Sequence, residues 1–207
     1  MTKFLSIHPD NPQKRLLQEV VLVLKQGGVI VYPTDSTYAL GCSIGNKEAI
    51  SRIKLIRQLD EKHYLTLICQ SLSELGTYAR VTDTAVFRQL KAHVPGPYTF
   101  LLKATHEVPK RLLHPKRKSI GLRIPDNEIV QQLLIELGEP LLSTSLILSN
   151  EKEPLAEPQL IYQRLKGRVD LIIDGGIGSR SLTSVIDFYN DTPVIIRKGK
   201  GDVSAFE

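Results

Sequence analysis

Segments with the hydrophobic spacing of helices alternate along the chain with short apolar runs typical of buried strands. This pattern predicts helices and strands in turn. Residues 16–24 place leucine and valine at helical spacing, and the preceding Asn11 and Pro12 are typical of a helix start. The run Val29–Tyr32 that follows is apolar throughout and predicts a buried strand. Because the same alternation continues along the chain, the sequence predicts an α/β fold built in layers.

Capping residues mark further helix boundaries. Asn46 and Asp126 each precede a segment of helical periodicity and predict N-caps, and Gly138 predicts the end of the second of these helices. The last strands lie close together and are joined by turns such as 190–191, which favours a mixed sheet over a wholly parallel one. We expect a single domain over residues 1–207.

Composition is that of an ordinary globular protein. With 42% hydrophobic and 24% charged residues, the chain does not fit the disordered class. No apolar run reaches the length of a membrane span, and the N-terminus lacks the apolar core of a secretory signal, so we predict a cytoplasmic location without membrane contact. Cys42 and Cys69 lie in or beside apolar stretches and predict buried thiols. The histidines show no metal-ligand spacing.

The charge balance changes the picture more than the composition does. A formal net charge of +5 suggests anionic partners. Lysine and arginine cluster over residues 110–118, which is typical of a solvated basic face and leaves RNA contact open. There is no GxxxxGK[ST] motif, and the glycines from Gly175 precede a β-like segment instead of a helix. A nucleotide site would therefore be assembled from separated loops.

The stretch GVIVYPTDSTYALG, residues 28–41, is the first such loop. Pro33 ends the predicted strand, and the next five residues are small, hydroxylic, acidic or aromatic. In open α/β sheets, ligands bind at the carboxyl ends of strands. Taken alone, these residues equally suit a polar turn after a core strand.

Several motifs of the chain, in order, resemble those of one family. PTDSTYALG is similar to the PT-E-T-x-YGLG signature of the YrdC-like threonylcarbamoyl-AMP synthases, and PGPYT, SIGLRIP, LSTSLIL, TSVIDF and RKG match later blocks of that family. The details, including IHPDNP, IRQL and LSTSL, resemble the YciO branch most. This resemblance implies a YrdC-like open twisted mixed sheet flanked by helices, with a large basic concave cleft.

The resemblance also implies an activity, in which L-threonine, bicarbonate and ATP are joined into threonylcarbamoyl-AMP with loss of pyrophosphate, for t6A modification of tRNA. The implied partners are ATP or AMP, L-threonine and bicarbonate, with Mg2+ bound to ATP and no metal ligand from the protein. No residue is implied as a nucleophile, so catalysis would depend on positioning and charge neutralisation. The matched nucleotide-binding residues are Arg57, His63, Ser119, Ser145 and Arg197. The matched threonine-binding residues are Ser36, Arg123, Ser143 and Thr183.

Each matched residue also has a structural explanation that needs no ligand. Arg57 at a helix C-terminus suits the helix dipole, and His63 alone is typical of a solvated loop. Ser143 and Ser145, two apart on a strand, share a face and could satisfy buried backbone groups. Arg123 is the strongest candidate from the residues themselves, because an arginine in an apolar strand needs a partner to offset its desolvation.

Two departures from the family pattern qualify the implied activity. Leu59 stands where the family has an arginine, and Ile147 stands where it has an asparagine. Each replacement could cost on the order of 2 to 4 kcal/mol of transition-state stabilisation. We therefore expect weak or altered synthase activity. The alternatives are a double-stranded RNA or tRNA binding protein without synthase activity, and an enzyme for a different small acyl-nucleotide.

Overall fold

The computed structural model describes residues 1–59, 65–149, 151 and 153–207. The strands are β1 (Lys3–Ser6), β2 (Ile30–Tyr32), β3 (Ala39–Ser43), β4 (Thr66–Ile68), β5 (Ala79–Arg80), β6 (Tyr98–Ala104), β7 (Ser119–Arg123), β8 (Leu141–Ser145), β9 (Leu171–Asp174), β10 (Ser184–Asp187) and β11 (Val194–Arg197). The helices are α1 (Lys14–Lys25), α2 (Lys47–Arg57), α3 (Leu72–Tyr78), α4 (Thr84–His93), α5 (Glu128–Leu137) and α6 (Pro158–Leu165). Short 3-10 helices cover Lys110–Leu112 and Ser204–Phe206.

All the described strands join one sheet, in the order β1-β9-β2-β3-β8-β4-β7-β6-β10-β11, with β5 paired to β6. Strands β1 and β9, β2 and β9, β4 and β7, and β6 and β10 pair in parallel. The other pairings, including β3 with β8 and β6 with β7, are antiparallel. The predicted open mixed sheet is confirmed, and strands distant in sequence become neighbours at its centre.

Two apolar cores flank this sheet. The smaller core packs α1 and α5 against residues such as Ile30 and Leu171, and the larger core includes α2, α4 and α6. A salt bridge of 3.0 Å between Lys14 and Glu136 ties the start of α1 to the end of α5. The helices of the described ranges include none that is long and apolar enough to cross a membrane.

Both cysteines are buried and reduced, as the sequence predicts. Cys42 lies in β3 and Cys69 directly follows β4, each among apolar side chains of the larger core. Burial raises the pKa of both thiols, that of Cys42 to about 12. They are therefore core residues of low reactivity.

The predicted helix starts are confirmed at one position and wrong at two. Asn46 caps α2, where its side chain accepts a hydrogen bond from the Ala49 N–H. Helix α1 begins after Gln13 and not at Pro12, because the chain at Asn11 turns towards the His8 ring, which accepts the Asn11 N–H at 3.2 Å. The cap of α5 is Asn127 and not Asp126, because the Asp126 N–H donates to the Asp35 carboxylate instead.

Candidate functional site

A basic hollow lies on one face of the central sheet, as a cavity of about 220 Å³. Its lining comes from the consecutive strands β3, β8, β4, β7, β6, β10 and β11 and from the C-terminal end of α2. The arginines of the lining are Arg57, Arg123 and Arg197, and the hydroxyl side chains come from Thr66, Thr99, Ser143, Thr144, Ser145 and Thr183. None of the described lining residues is acidic, so the cavity is electropositive.

Most of the residues predicted for the site meet in this cavity. Arg57, Arg123, Ser143, Ser145, Thr183 and Arg197 line it together, although they come from separate elements. Ser36 is fully buried, and its hydroxyl accepts a hydrogen bond from Arg123 Nη2. Ser119 is buried at the opposite end of β7 from Arg123 and does not belong to the cavity lining. His63 lies outside the described residues.

Arg123 is held by the loop that follows β2. Its guanidinium Nη2 donates to the Asp35 carboxylate, to the Thr34 hydroxyl at 3.1 Å and to the Ser36 hydroxyl at 2.9 Å. The side chains of Arg123 and Asp35 are only 6% and 10% exposed, so this is a buried ion pair. The Arg123 Nε is buried and has no hydrogen-bond partner among the residues that the structure describes. The partner that the sequence requires for Arg123 is therefore Asp35.

Arg57 has a weaker set of contacts. It ends α2, where its Nη1 donates to the main-chain oxygen of Ile147, while its Nε is buried with no partner in the described ranges. Burial lowers the pKa of Arg57. A cation with one neutral acceptor and one unused buried donor is suited to an anionic ligand.

Arg197 closes the exposed rim of the cavity on β11. Its Nε donates to the main-chain oxygen of Thr183 at 2.9 Å, and its Nη2 donates to the Thr183 hydroxyl at 3.0 Å. That hydroxyl also lies 3.0 Å from the hydroxyl of Thr99. Partial burial of its guanidinium, and then the positive charge of Arg123, lower the pKa of Arg197. Because the charge of Arg123 affects the pKa of Arg197, the two arginines lie near each other, and the cavity holds positive charges that repel one another.

The floor of the cavity contains a buried hydrogen bond that the sequence does not reveal. The Tyr32 and Ser143 hydroxyls lie 2.6 Å apart, and Ser143 also donates to the main-chain oxygen of Leu40 at 3.0 Å. Burial raises the pKa of Tyr32 to about 12. The Ser143 hydroxyl therefore bonds to a buried main-chain oxygen and to Tyr32, which is the structural role considered for this residue in the sequence analysis.

Asp35, Tyr32 and Lys200 were not among the residues predicted for the site. Lys200 Nζ donates to the main-chain oxygen of Asp35 at 2.5 Å, which ties the segment after β11 to the loop after β2. The position of Asp35, between the two hydroxyl residues that also hold Arg123, is the one sequence signal that could have identified it. No sequence signal links Lys200 to that loop.

The basic segment over residues 110–118 is partly engaged by the protein itself. Arg117 donates to the Asp187 carboxylate at 2.7 Å and stacks over the Tyr189 ring, and Arg111 donates to the main-chain oxygens of Ile44 and Gly45. These contacts fix two of its cations in place. RNA binding by this segment stays a prediction.

The fold and the cavity together define an α/β protein with an electropositive pocket on its central sheet. The chain belongs to the Sua5/YciO/YrdC family, whose family model, described as telomere recombination, matches residues 22–199. It is 54% identical over 206 residues to uncharacterized protein YciO of Escherichia coli K12, across 100% of both chains. The crystal structure of E. coli YciO matches with a TM-score of 0.96 over 100% of both chains.

Two more distant relatives are a threonylcarbamoyl-AMP synthase and a Sua5 protein of known structure. A threonylcarbamoyl-AMP synthase of Vibrio vulnificus is 35% identical over 172 residues, which are 82% of this chain and 91% of that protein. The crystal structure of P. abyssi Sua5 complexed with L-threonine matches with a TM-score of 0.87 and 22% identity, over 96% of this chain and 58% of that chain. At that identity the likeness to Sua5 shows the fold alone.

Proposed function

We propose that this protein binds ATP or AMP together with L-threonine in the cavity, and that it forms threonylcarbamoyl-AMP from threonine, bicarbonate and ATP, with release of water and pyrophosphate, at weak or altered efficiency. The 35% identity to a threonylcarbamoyl-AMP synthase supports the reaction class. The L-threonine bound by the Sua5 structure supports the amino-acid substrate. The cavity supports both, because it offers fixed cations and hydroxyls to a ligand with separate anionic groups.

The observation that carries the proposal is a pair of unused donors. The Nε atoms of Arg57 and Arg123 are both buried and both without a partner among the described residues, and both arginines line the same cavity. A buried donor left unpaired costs about 1–3 kcal/mol, and more when the group is charged. The Nε atoms are closed to solvent, so a ligand would meet the terminal nitrogens of the two guanidinium groups; two incompletely bonded arginines in a cavity whose described lining has no acidic residue favour an anionic ligand.

The roles follow from chemistry and position. Arg123 would bind the threonine carboxylate, because its planar guanidinium suits a carboxylate and its neighbour Ser36 supplies a hydroxyl. Arg57 and Arg197 would bind the phosphate groups, and the Ser145 and Thr183 hydroxyls would orient the ligand between them. Mg2+ would be held by ATP and water, because the described lining residues include no carboxylate.

These residues would promote the reaction without a nucleophilic side chain from the protein. Fixed guanidinium groups neutralise the charge that shifts onto pyrophosphate as it leaves, and the sheet holds the reactants in one orientation. Ile147 lines the cavity and supplies no polar group there, and Leu59 stands where the family has an arginine, which is the basis for expecting a low rate.

The direct test is pyrophosphate release from ATP, measured with and without threonine and with and without bicarbonate, together with detection of threonylcarbamoyl-AMP by mass spectrometry. We expect release that needs both co-substrates and that falls at least about tenfold in Arg57→Gln. Arg180→Gln is the matched control, because Arg180 is 61% exposed and pairs with Glu153 on the surface. Release independent of threonine, or equal loss in both variants, would contradict the proposal.

A further inference from the structure

Asp35 joins the loop after β2 to two other segments of the chain, residues 123–126 and the segment after β11. Its carboxylate accepts a hydrogen bond from Arg123 Nη2 and, at 3.1 Å, another from the main-chain N–H of Asp126. Its main-chain oxygen accepts from Lys200 Nζ at 2.5 Å. The side chain is 10% exposed, so its ion pair with Arg123 forms largely away from bulk water, whereas the bonds from Asp126 and Lys200 lie at the surface. A carboxylate with this set of donors is fixed in position.

The fixed carboxylate determines how Arg123 is presented. Three consecutive residues, Thr34, Asp35 and Ser36, place their oxygens around one nitrogen, Nη2. The guanidinium is planar, so holding one nitrogen at three acceptors fixes the orientation of the whole group. Its buried Nε then remains as the donor without a partner in the described chain.

We propose that Asp35 is the positioning residue for ligand carboxylate recognition: it occupies Nη2 of Arg123, fixes the plane of the guanidinium, and thereby leaves Nη1, which bonds to no described residue, for the anion in the cavity. The inference deepens the proposed function and rests on it, because it takes the ligand to be an amino acid whose carboxylate meets Arg123. Thr34 and Ser36 supply neutral acceptors for the same nitrogen, whereas Asp35 alone supplies the opposite charge.

Asp35 could instead serve only as a buried counter-charge that stabilises the loop. The two roles make different predictions about ligands. A positioning role affects ligands that carry a carboxylate and spares the same ligand without that charge. A purely structural role weakens both equally, because it acts through the shape of the cavity as a whole.

The experiment is calorimetric titration of L-threonine and of L-threoninamide into the full chain, in wild type, Asp35→Asn, Asp35→Glu and Asp126→Asn. Asp126→Asn is the matched control, since it removes the same charge from the neighbouring exposed position and keeps the main-chain N–H that Asp35 uses. We expect Asp35→Asn to weaken threonine at least about tenfold and threoninamide less than about threefold. Asp35→Glu should recover most of the threonine affinity, because it restores the charge.

Equal weakening of both ligands in Asp35→Asn, or unchanged threonine affinity, would overturn the inference. If the wild type binds no threonine, the proposed function fails in its amino-acid substrate, and a second measurement still decides the role of Asp35. The Nε–H resonance of Arg123, assigned by its loss in Arg123→Lys, should be sharp in the ligand-free wild type and in Asp126→Asn and exchange-broadened in Asp35→Asn. An unchanged resonance in Asp35→Asn would contradict the positioning role.

Discussion

The arginines at the two ends of the cavity differ in the partners that the protein gives them. At one end Arg123 has a buried carboxylate and two hydroxyls, all from consecutive residues of one loop. At the other end Arg57 has a single main-chain oxygen, that of Ile147, and the Ile147 side chain adds nothing polar to the lining. Arg123 therefore has a counter-charge within the protein before any ligand binds, whereas Arg57 has none among its described contacts. The comparison predicts that the Arg123 end governs stability and that the Arg57 end limits activity.

The largest effect is expected from breaking the pair at the first end. Arg123→Gln leaves the Asp35 carboxylate buried without its counter-charge, and loss of one member of a buried pair costs about 3–5 kcal/mol of unfolding free energy. Arg57→Gln removes one bond to a neutral oxygen and should cost less than about 1.5 kcal/mol. Urea unfolding of both variants measures the difference. Equal losses would show that the two ends do not differ in internal charge balance.

The second prediction sharpens the comparison at the Arg57 end. Ile147→Asn adds an amide to the cavity lining and keeps the main-chain oxygen that Arg57 uses. We expect threonine-dependent pyrophosphate release to rise at least about tenfold, since one oriented polar group contributes on the order of 2–4 kcal/mol to a transition state. Ile147→Val is the control that keeps the position aliphatic. A rate that stays low in both variants would place the limiting deficit elsewhere.

The sequence predicts that Arg123 needs a partner but does not identify that partner. Asp35 lies 88 residues away, and the two meet because β4 and β8 bring the strand of Arg123 close to the hairpin that contains Asp35. Helical periodicity is local, so most helices were predictable from short windows of sequence. Contacts across the sheet depend on strand order and register, which no window contains.

The start of α5 shows how such a contact overrides a local signal. Asp126 is as good an N-cap as Asn127 by residue type, and the sequence alone favours the first. In the fold, the Asp126 N–H donates to Asp35, and the side chain of Asn127 accepts from Val130. The one-residue difference therefore follows from the Asp35 carboxylate. The same carboxylate is what site prediction from the sequence missed.

The third prediction concerns the rim between the two ends, where backbone packing sets the position of Arg197. A Cβ on Gly199 would lie 2.4 Å from the main-chain oxygens of Leu182 and Thr183, so no side chain fits without movement. We expect Gly199→Ala to lower the unfolding free energy by about 1–3 kcal/mol and to weaken ligand binding, because Thr183 is also the hydrogen-bond partner of Arg197.

The control for this prediction is Gly76→Ala in the exposed helix α3. A Cβ there meets no atom within 4 Å, and alanine favours a helix, so stability should rise by about 0.5–1 kcal/mol. Thermal unfolding and AMP titration measure the two variants together. If Gly199→Ala behaved like Gly76→Ala, the close approach of the backbone would not be what positions Arg197.

The smallest effect is expected at the cavity floor, which both ends share. Tyr32→Phe removes the 2.6 Å bond to Ser143, but Ser143 keeps its bond to Leu40, so we expect a loss of about 0.5–1.5 kcal/mol at neutral pH. Burial raises the pKa of Tyr32 from 10.0 to about 12, so above pH 10 the unfolded chain releases this proton before the folded protein does. Wild-type stability therefore falls as the pH rises from 10 towards 12.

Without the Tyr32 hydroxyl, this alkaline loss should be smaller but not absent. Burial also raises the pKa of Tyr38 to about 12, and Tyr38 remains in the variant to titrate over the same range. Urea unfolding at pH 8, 10 and 11 compares the slopes of wild type and Tyr32→Phe. An identical slope would show that the Tyr32 hydroxyl gains no protection from the fold. The floor would then be open to solvent. The Nε atoms of Arg57 and Arg123 would in that case lose the buried setting that makes their lack of a partner significant.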